Sequence, residues 1–344
     1  MTFSTKLYPN TIWGDHYQGD FQRLISDIRA AGISSVITPV FQGSRVFFHT
    51  EQDETPSPWD LRVFRDACQE QGLAFIPEFP LFHDPDTFDN IAQYRPVDTR
   101  GSAAIPQDWY KPICPSNEPY RTYRLDLIFK AIHELEPAVI SLDFLHYPYF
   151  PGSDQYQQNP VNLPDFCYCD FCLYQYRDFS GVPNPQDDVE QWFLWRSENI
   201  TLIPILITEH AEKQGMNLKI MAQMPSAPSQ EYLEYLRRIT GQDPRQWRDI
   251  LHILSPNLHL NRFNVGPSWG LDIMENIRKH HGQDFAIMPE VDLPFVFDAS
   301  EQDSRTGVLL ESLKNTGTPA VTLFSWDLLR GDQGMIDKIT SLAG

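Results

Sequence analysis

The feature that most constrains this chain is a repeated alternation of short apolar runs with longer amphipathic stretches. Strands are expected at Lys6–Tyr8, Ser35–Phe41, Ala74–Phe79, Ala138–Phe144, Leu218–Met224, Leu258–Phe263, Phe285–Val291 and Ala320–Trp326. Most are brief and apolar with little alternation, as in parallel strands whose outer face is covered by helices. Between them lie helical stripes. Phe21, Leu24, Ile25 and Ile28 share one face before Gly32, and Tyr120, Tyr123, Leu127, Ala131 and Leu135 share another before Pro137. Val189–Ala211 carries Ile200, Ile203 and Ile207 on one side and is expected to bend at Pro204. Further helices are expected at Trp59–Gln71, Gln230–Arg238, Asp243–Leu254, Ser268–His281, Ser300–Asn315 and Gln333–Leu342. Eight strands, each followed by helix, imply an α/β fold: a single (β/α)8 TIM barrel spanning residues 1–344. An open doubly wound sheet would carry Gly-x-Gly-x-x-Gly after a strand, and no strand here does.

Two long irregular stretches, His83–Pro119 and Pro148–Asp187, follow the third and fourth strands. Loops after strands lie at the C-terminal face of a barrel, where active sites are built, so their length implies a covered cleft. The second stretch, 148–187, forms a cysteine-containing insert.

Charge narrows the partners. The chain has 46 acidic against 27 basic residues, a formal net charge of −19, which would repel a phosphate backbone and an anionic membrane. No nucleic acid and no membrane partner is therefore expected, and no apolar stretch is long enough to span a bilayer. The segment Met1-Thr2-Phe3-Ser4-Thr5-Lys6-Leu7-Tyr8 has no basic run followed by an apolar one, so a cytoplasmic location is expected. The oligomeric state is left open.

At the expected strand ends stand Glu78, Asp143, Gln223, Asn261 with Arg262, Glu290 with Asp292, and Trp326 with Asp327. Any one of these acids reads equally well as a surface or salt-bridged group. Several converging on one mouth supply the acid–base pair that glycosidic cleavage needs. Asp143 closes the apolar run Val139-Ile140-Ser141-Leu142, an expensive place for a carboxylate unless it points into a polar site. Asp143 is expected as nucleophile or base and Glu290 as general acid, its pKa raised by neighbouring acids, with Glu78 and Asp292 in reserve. Trp13, Trp59, Trp109, Trp269 and Trp326 are candidate sugar platforms, and His16 a candidate mouth residue.

Leu142-Asp143-Phe144-Leu145-His146-Tyr147-Pro148 resembles the Leu-Asp-Tyr-x-Arg-Tyr-Pro-like strand end of the glycosyl-hydrolase-like TIM-barrel families, with Phe for Tyr and His for Arg. Cys114-Pro115-Ser116-Asn117-Glu118-Pro119-Tyr120-Arg121 is similar to the segment that opens their preceding helix. Phe166-Cys167-Tyr168-Cys169-Asp170-Phe171-Cys172 resembles their Cys-x-Cys-x-x-Cys insert, and Gly241-Gln242-Asp243 through Ser255-Pro256 their approach to strand six. The resemblance implies a glycosidase acting on an oligo- or polysaccharide without a catalytic cofactor. It marks Asp143 as a site acid and His146 and Tyr147 as substrate contacts; the strand-end positions of Gln223, Arg262, Asp292 and Trp326, with Trp13, make these further expected substrate contacts.

Five cysteines are an odd number, against a simple disulfide framework. Cys167, Cys169 and Cys172, joined by Cys114 at the same barrel face, could make a four-thiolate structural zinc site, or stand as reduced thiols. Cys68 reads as a small buried hydrophobe. Two other functional classes stay open: a divalent-metal isomerase or hydrolase ligated by Glu78, Asp143 and Glu290, and a non-catalytic sugar-binding barrel.

Overall fold

A computed structural model describes every residue except 49–59, 105–108, 150–164, 229, 283–284, 295–301 and 344. Eight parallel strands form one sheet: β1 (Thr2–Lys6), β2 (Ser35–Pro39), β3 (Ala74–Pro80), β4 (Val139–Asp143), β5 (Lys219–Met224), β6 (Ile253–Leu258), β7 (Ala286–Ile287 and Glu290–Asp292) and β8 (Ala320–Phe324). Each pairs with the next in chain order, and β8 pairs with β1 through Thr2 opposite Ala320, so the sheet closes. The expected (β/α)8 barrel is the observed architecture.

The helices between strands follow their sequence signals. In α1 (Phe21–Ala30), Asp20 caps the N-terminus by accepting the Arg23 N–H at 3.0 Å, and Leu24, Ile25 and Ile28 are buried. Burying each of these side chains stabilises the fold by about 1.5–3 kcal/mol. The chain turns out of α1 at Gly32, whose φ of +79° a residue with a Cβ rarely adopts. Equivalent carboxylate or amide caps open α2 (Leu61–Glu70) at Asp60, α3 (Glu118–Leu135) at Asn117, α4 (Val189–Lys213) at Asp188, and the C-terminal helix Gln333–Leu342 at Asp332. Pro204 sits inside α4, where it removes one backbone donor.

Four expectations need correction. The first strand is Thr2–Lys6 rather than Lys6–Tyr8, so Lys6 ends it instead of opening it. The sixth is Ile253–Leu258 rather than Leu258–Phe263; Asn261 and Arg262 belong to a short helix, Leu260–Phe263, after it. The helix expected at Asp243–Leu254 is a single 3-10 turn, Pro244–Gln246, because the Asp243 carboxylate takes the Arg245 N–H and guanidinium for itself. Trp326 and Asp327 likewise lie on a short helix, Trp326–Leu329, beyond β8.

Candidate functional site

The site grows out of the inward-facing positions of the strands, which recur every second residue. Toward the N-terminal end they are apolar: Ile37, Ile76, Met221 and Met288 pack together with Val139, Ile253 and Ala320. Two residues further along come small polar groups, with Ser141, Ser255 and Thr322 all buried. The mouth begins at that level and extends one step beyond it. There Lys6, Glu78, Asp143, Gln223, Asn257, Glu290 and Phe324 line a cavity of about 1070 Å³. Register carries the three acids to the same end: Glu78 lies opposite Ser141, Pro80 opposite Asp143, and Glu290 opposite Thr322.

Lys6 is the focus of this layer. Its ammonium contacts the Glu78 carboxylate directly and stands 3.4 Å from Asp143 Oδ2 and 3.4 Å from Glu290 Oε2. Burial pushes the ammonium's pKa down, but Glu290, Glu78 and Asp143 outweigh it and hold it well above the ordinary lysine value. Burial pushes Glu78 up to about 8 against the pull of Lys6, with Asp143 adding to the rise. Burial also pushes Glu290 up, yet Lys6 and His259 overcome it and keep that carboxyl below its usual range. The expectation of a raised Glu290 is thus reversed: the Lys6 ammonium and the His259 hydrogen bond, unseen in the sequence reading, outweigh its burial. His259 Nε2 lies 2.9 Å from Glu290 Oε1. Ser141 Oγ donates to Glu78 at 3.3 Å and accepts from Gln223 Nε2 at 3.2 Å. Asp143 is the accessible member of the trio, its side chain 22% exposed against 4% for Glu78 and 3% for Glu290.

Immediately after Asp143, Phe144 adopts φ +49° while its N–H donates to Asp143 Oδ1 at 2.8 Å. A bulky residue in the left-handed region costs roughly 1–3 kcal/mol. The turn places the Phe144 ring on Tyr110, stacked at 5.5 Å, with His83 at 5.0 Å and Trp109 at 5.9 Å. These rings form an aromatic wall on one side of the cavity. Burial pulls the His83 pKa down to about 4, and its Nδ1 accepts the Lys111 N–H at 3.2 Å, which requires the neutral ring.

Among the other residues singled out from the sequence, His146, Gln223, Arg262 and Trp109 line the cavity. His146 is buried, with Nδ1 2.7 Å from the Tyr147 carbonyl, and burial lowers its pKa. The guanidinium of Arg262 stands 6.0 Å over the Trp109 ring, at the lip. Tyr147 is not a wall residue: its hydroxyl meets Ser116 and Asn199 at 2.7 Å behind the cavity, under Arg196. Asp292 is also set back, accepting the N–H groups of Asn261 at 3.2 Å and Arg262 at 2.8 Å and so anchoring the turn that carries Arg262. Trp326 is buried and donates to the Tyr17 hydroxyl at 3.2 Å, and Trp13 packs on Phe21. His16 packs against Tyr17, and Trp269 against the core. Trp59 lies outside the described residues. Lys6, Tyr8, His83, Tyr110, Asn257 and His259 line the site but escaped the sequence reading.

A second constellation lies apart from the cavity. Cys114, just before α3, meets Cys167, Cys169 and Cys172, all buried and with every sulfur within 4.8 Å of the others. Cys114 Sγ is 3.5 Å from Cys169 Sγ and 3.4 Å from Cys172 Sγ, and the latter two are 3.7 Å apart. Four sulfurs arranged tetrahedrally at about 2.3 Å from a zinc ion would stand about 3.8 Å apart, so the set fits such an ion. Cys68, by contrast, is buried on α2.

No protein-family model matches the sequence, and no curated protein sequence matches it. Solved structures do. The glycoside hydrolase domain of PgaB (BpsB) from Bordetella bronchiseptica superposes with a TM-score of 0.72 at 12% identity, over 100% of this chain and 99% of that one. A β-galactosidase from the haloarchaeon Halorubrum lacusprofundi gives 0.69 at 12% identity, over 100% of this chain and 58% of the enzyme. A β-galactosidase from Rahnella sp. gives 0.68 at 13%, over 100% and 56%. The chain thus spans a little over half the length of these β-galactosidases. At such identities the likeness is one of fold, a closed barrel of the kind these glycoside hydrolases share. No helix among the described residues is long and apolar enough to cross a membrane.

Proposed function

We propose that this protein is a glycoside hydrolase acting on an oligo- or polysaccharide held in the barrel mouth, without a catalytic cofactor. The observation that carries the reading is the gathering of three carboxylates around Lys6 at the floor of an aromatic-walled cavity. Glycosidic cleavage needs one ionised carboxylate and one that carries a proton. Glu290, steadied by His259 and Lys6, suits the ionised role. The donor must reach the leaving oxygen and later meet water, which suits Asp143, the exposed member of the trio. Glu78, holding its proton to about pH 8, keeps one negative charge out of the cluster at neutrality. Asp143 Oδ2 and Glu290 Oε2 are each 3.4 Å from one nitrogen, so their separation cannot exceed the sum of those contacts. That bound, set by the two oxygens nearest Lys6, admits the spacing of about 5–5.5 Å used in retaining enzymes. A retaining mechanism with Glu290 as nucleophile is the form of the reaction proposed here.

A divalent cation held by the same three acids is the less favoured reading, because the Lys6 ammonium already stands at their focal point.

The test is hydrolysis of a panel of aryl glycosides and oligosaccharides by the native protein, Asp143→Asn and Glu290→Gln. Glu290→Gln should lose at least about 10³-fold on every substrate, while Asp143→Asn should be spared on aryl glycosides with good leaving groups, since proton donation contributes about 10²–10⁴-fold. Binding of sugars without turnover by the native protein would instead make it a sugar-binding barrel. Near-native turnover by Glu290→Gln would refute the assignment.

The four-thiolate cluster is proposed as a structural zinc site. Cys114, Cys167, Cys169 and Cys172 would hold the ion as thiolates, tying the segment before α3 to the helix Asp170–Ser180. The cluster takes no part in the chemistry above.

A further inference from the structure

We infer that Lys6 is a positioning residue of the proposed reaction: its ammonium is the fixed counter-ion that lets three closely packed carboxylates, Glu78 and Glu290 buried and Asp143 part-exposed, occupy one site and keeps Glu290 anionic. The inference rests on reading the cavity as a glycoside-cleaving site, and it names the group that sets the charge state of that site.

The geometry is specific. Lys6 is the last residue of β1, paired opposite Ile37 of β2, and the strand's two-residue period turns its side chain inward as it does that of Ser4. The Lys6 side chain is 3% exposed. Around it stand Tyr8 from its own strand's end, Glu78 from β3, Asp143 from β4 and Glu290 from β7, with His259 behind Glu290 and His83 and His146 bordering Asp143. Three carboxylates packed this closely cannot all ionise without a cation among them, because like charges in a low-dielectric site repel strongly. One ammonium compensates one of them fully, and the remaining charge is reduced by retaining a proton on Glu78, which burial and Asp143 push up to about 8. Glu290 has the second donor, His259, and so keeps its charge. Arginine would not substitute freely. Its planar fork takes carboxylates in pairs within one plane, whereas three acids from three strands surround a point charge.

Lys6 does not fit a covalent role. A nucleophilic lysine needs a depressed pKa, and the surrounding acids act in the opposite direction.

The test compares the native protein with Lys6→Met, which keeps the chain length and removes the charge, and with Lys6→Met/Glu78→Gln, which removes the carboxylate most tightly paired to it. Two readouts are used. One is the pH profile of kcat/KM on an aryl glycoside. The other, independent of activity, is titration of the Glu78 and Glu290 carboxyl carbons by NMR in protein labelled with ¹³C-glutamate. In both variants the Glu290 titration should move up by at least about one pH unit, a tenfold change in its acid constant, and the acid limb of kcat/KM should move with it. The double variant keeps the measurement open should the single one fold poorly. A Glu290 titration unmoved in a folded variant overturns the inference, even where kcat falls. Should the native protein cleave no glycoside, the functional reading fails while the NMR titration still judges the role of Lys6.

Discussion

The mouth rests on a buried ion pair whose removal has a calculable cost. Asp84 and Arg124 meet at 2.6 Å with both side chains 1% exposed. Arg124 also donates to the Gly43 carbonyl at 3.0 Å and to the Tyr120 hydroxyl at 2.6 Å, under the Phe41 ring. Asp84 has a second task, capping the short helix Pro85–Asn90 by accepting the Thr87 N–H at 3.0 Å. Its neighbours His83, Pro85 and Asp86 line the cavity, as do Gln42 and Gly43 across from them. Asp84→Asn retains an acceptor for the cap and strands the guanidinium, a loss of about 3–5 kcal/mol. Asp84→Ala removes the cap as well and should cost about 1 kcal/mol more. At about 2.1 cal/mol/K per residue, the unfolding entropy of this chain is near 0.7 kcal/mol/K, so Tm should fall by roughly 4–7 °C for Asn and 6–9 °C for Ala. Replacing both partners, Asp84→Leu with Arg124→Met, removes the stranded charge and should recover at least about 2 kcal/mol over Asp84→Ala. Urea unfolding at pH 7 measures all three. An Asp84→Asn cost below about 1 kcal/mol, or a double variant no more stable than Asp84→Ala, would refute the reasoning.

Two further outcomes are expected. Protein purified in reducing, zinc-containing buffer should carry one zinc per chain by elemental analysis; Cys172→Ser should lose it and lower Tm, with proteolysis starting in the segment 166–180 before the barrel, because that segment lies outside the closed sheet and its helix packs on α4. His83 titrates near 4 when folded against 6.5 otherwise, so its contribution is whole above 6.5 and is lost as pH falls toward 4. Native stability should therefore drop by roughly 2–3 kcal/mol more between pH 7 and 4.5 than that of His83→Gln, and equal acid sensitivity of the two would exclude this role.

The barrel was legible because its outward strand positions are apolar under the helices, while its inward positions are apolar only toward the N-terminal end. Val139-Ile140-Ser141-Leu142 shows both faces as one greasy run, and the C-terminal helix was legible to the residue from the Asp332 cap to Leu342. The misplaced strands are those whose inward positions turn polar early. In Thr2–Lys6 the inward residues are Ser4 and Lys6, and the segment reads as a polar terminus. In Ile253–Leu258 they are Ser255 and Asn257, and Pro256, which gives up a ladder hydrogen bond, completes the disguise of a loop.

That same rule explains why the acids of the site were found and their cation was not. A carboxylate that ends an apolar run stands out as a cost with no visible return, so Asp143, Glu78 and Glu290, which line the cavity, were singled out. Lys6 ends a polar segment, and one lysine among polar residues is ordinarily a solvated one. Without it, three acids at one mouth imply mutual repulsion, and Glu290 was accordingly expected to be raised. The cation changes the sign for Glu290 but not for Glu78, because His259 adds to it at the first and the nearby Asp143 works against it at the second. The charge state of each carboxyl is thus a property of four strands together, β1, β3, β4 and β7, and of the turn after β6. A strand register that moved Lys6 by one residue would turn its side chain outward and leave the acids uncompensated. The placement of β1 therefore decides the chemistry as firmly as any acid does.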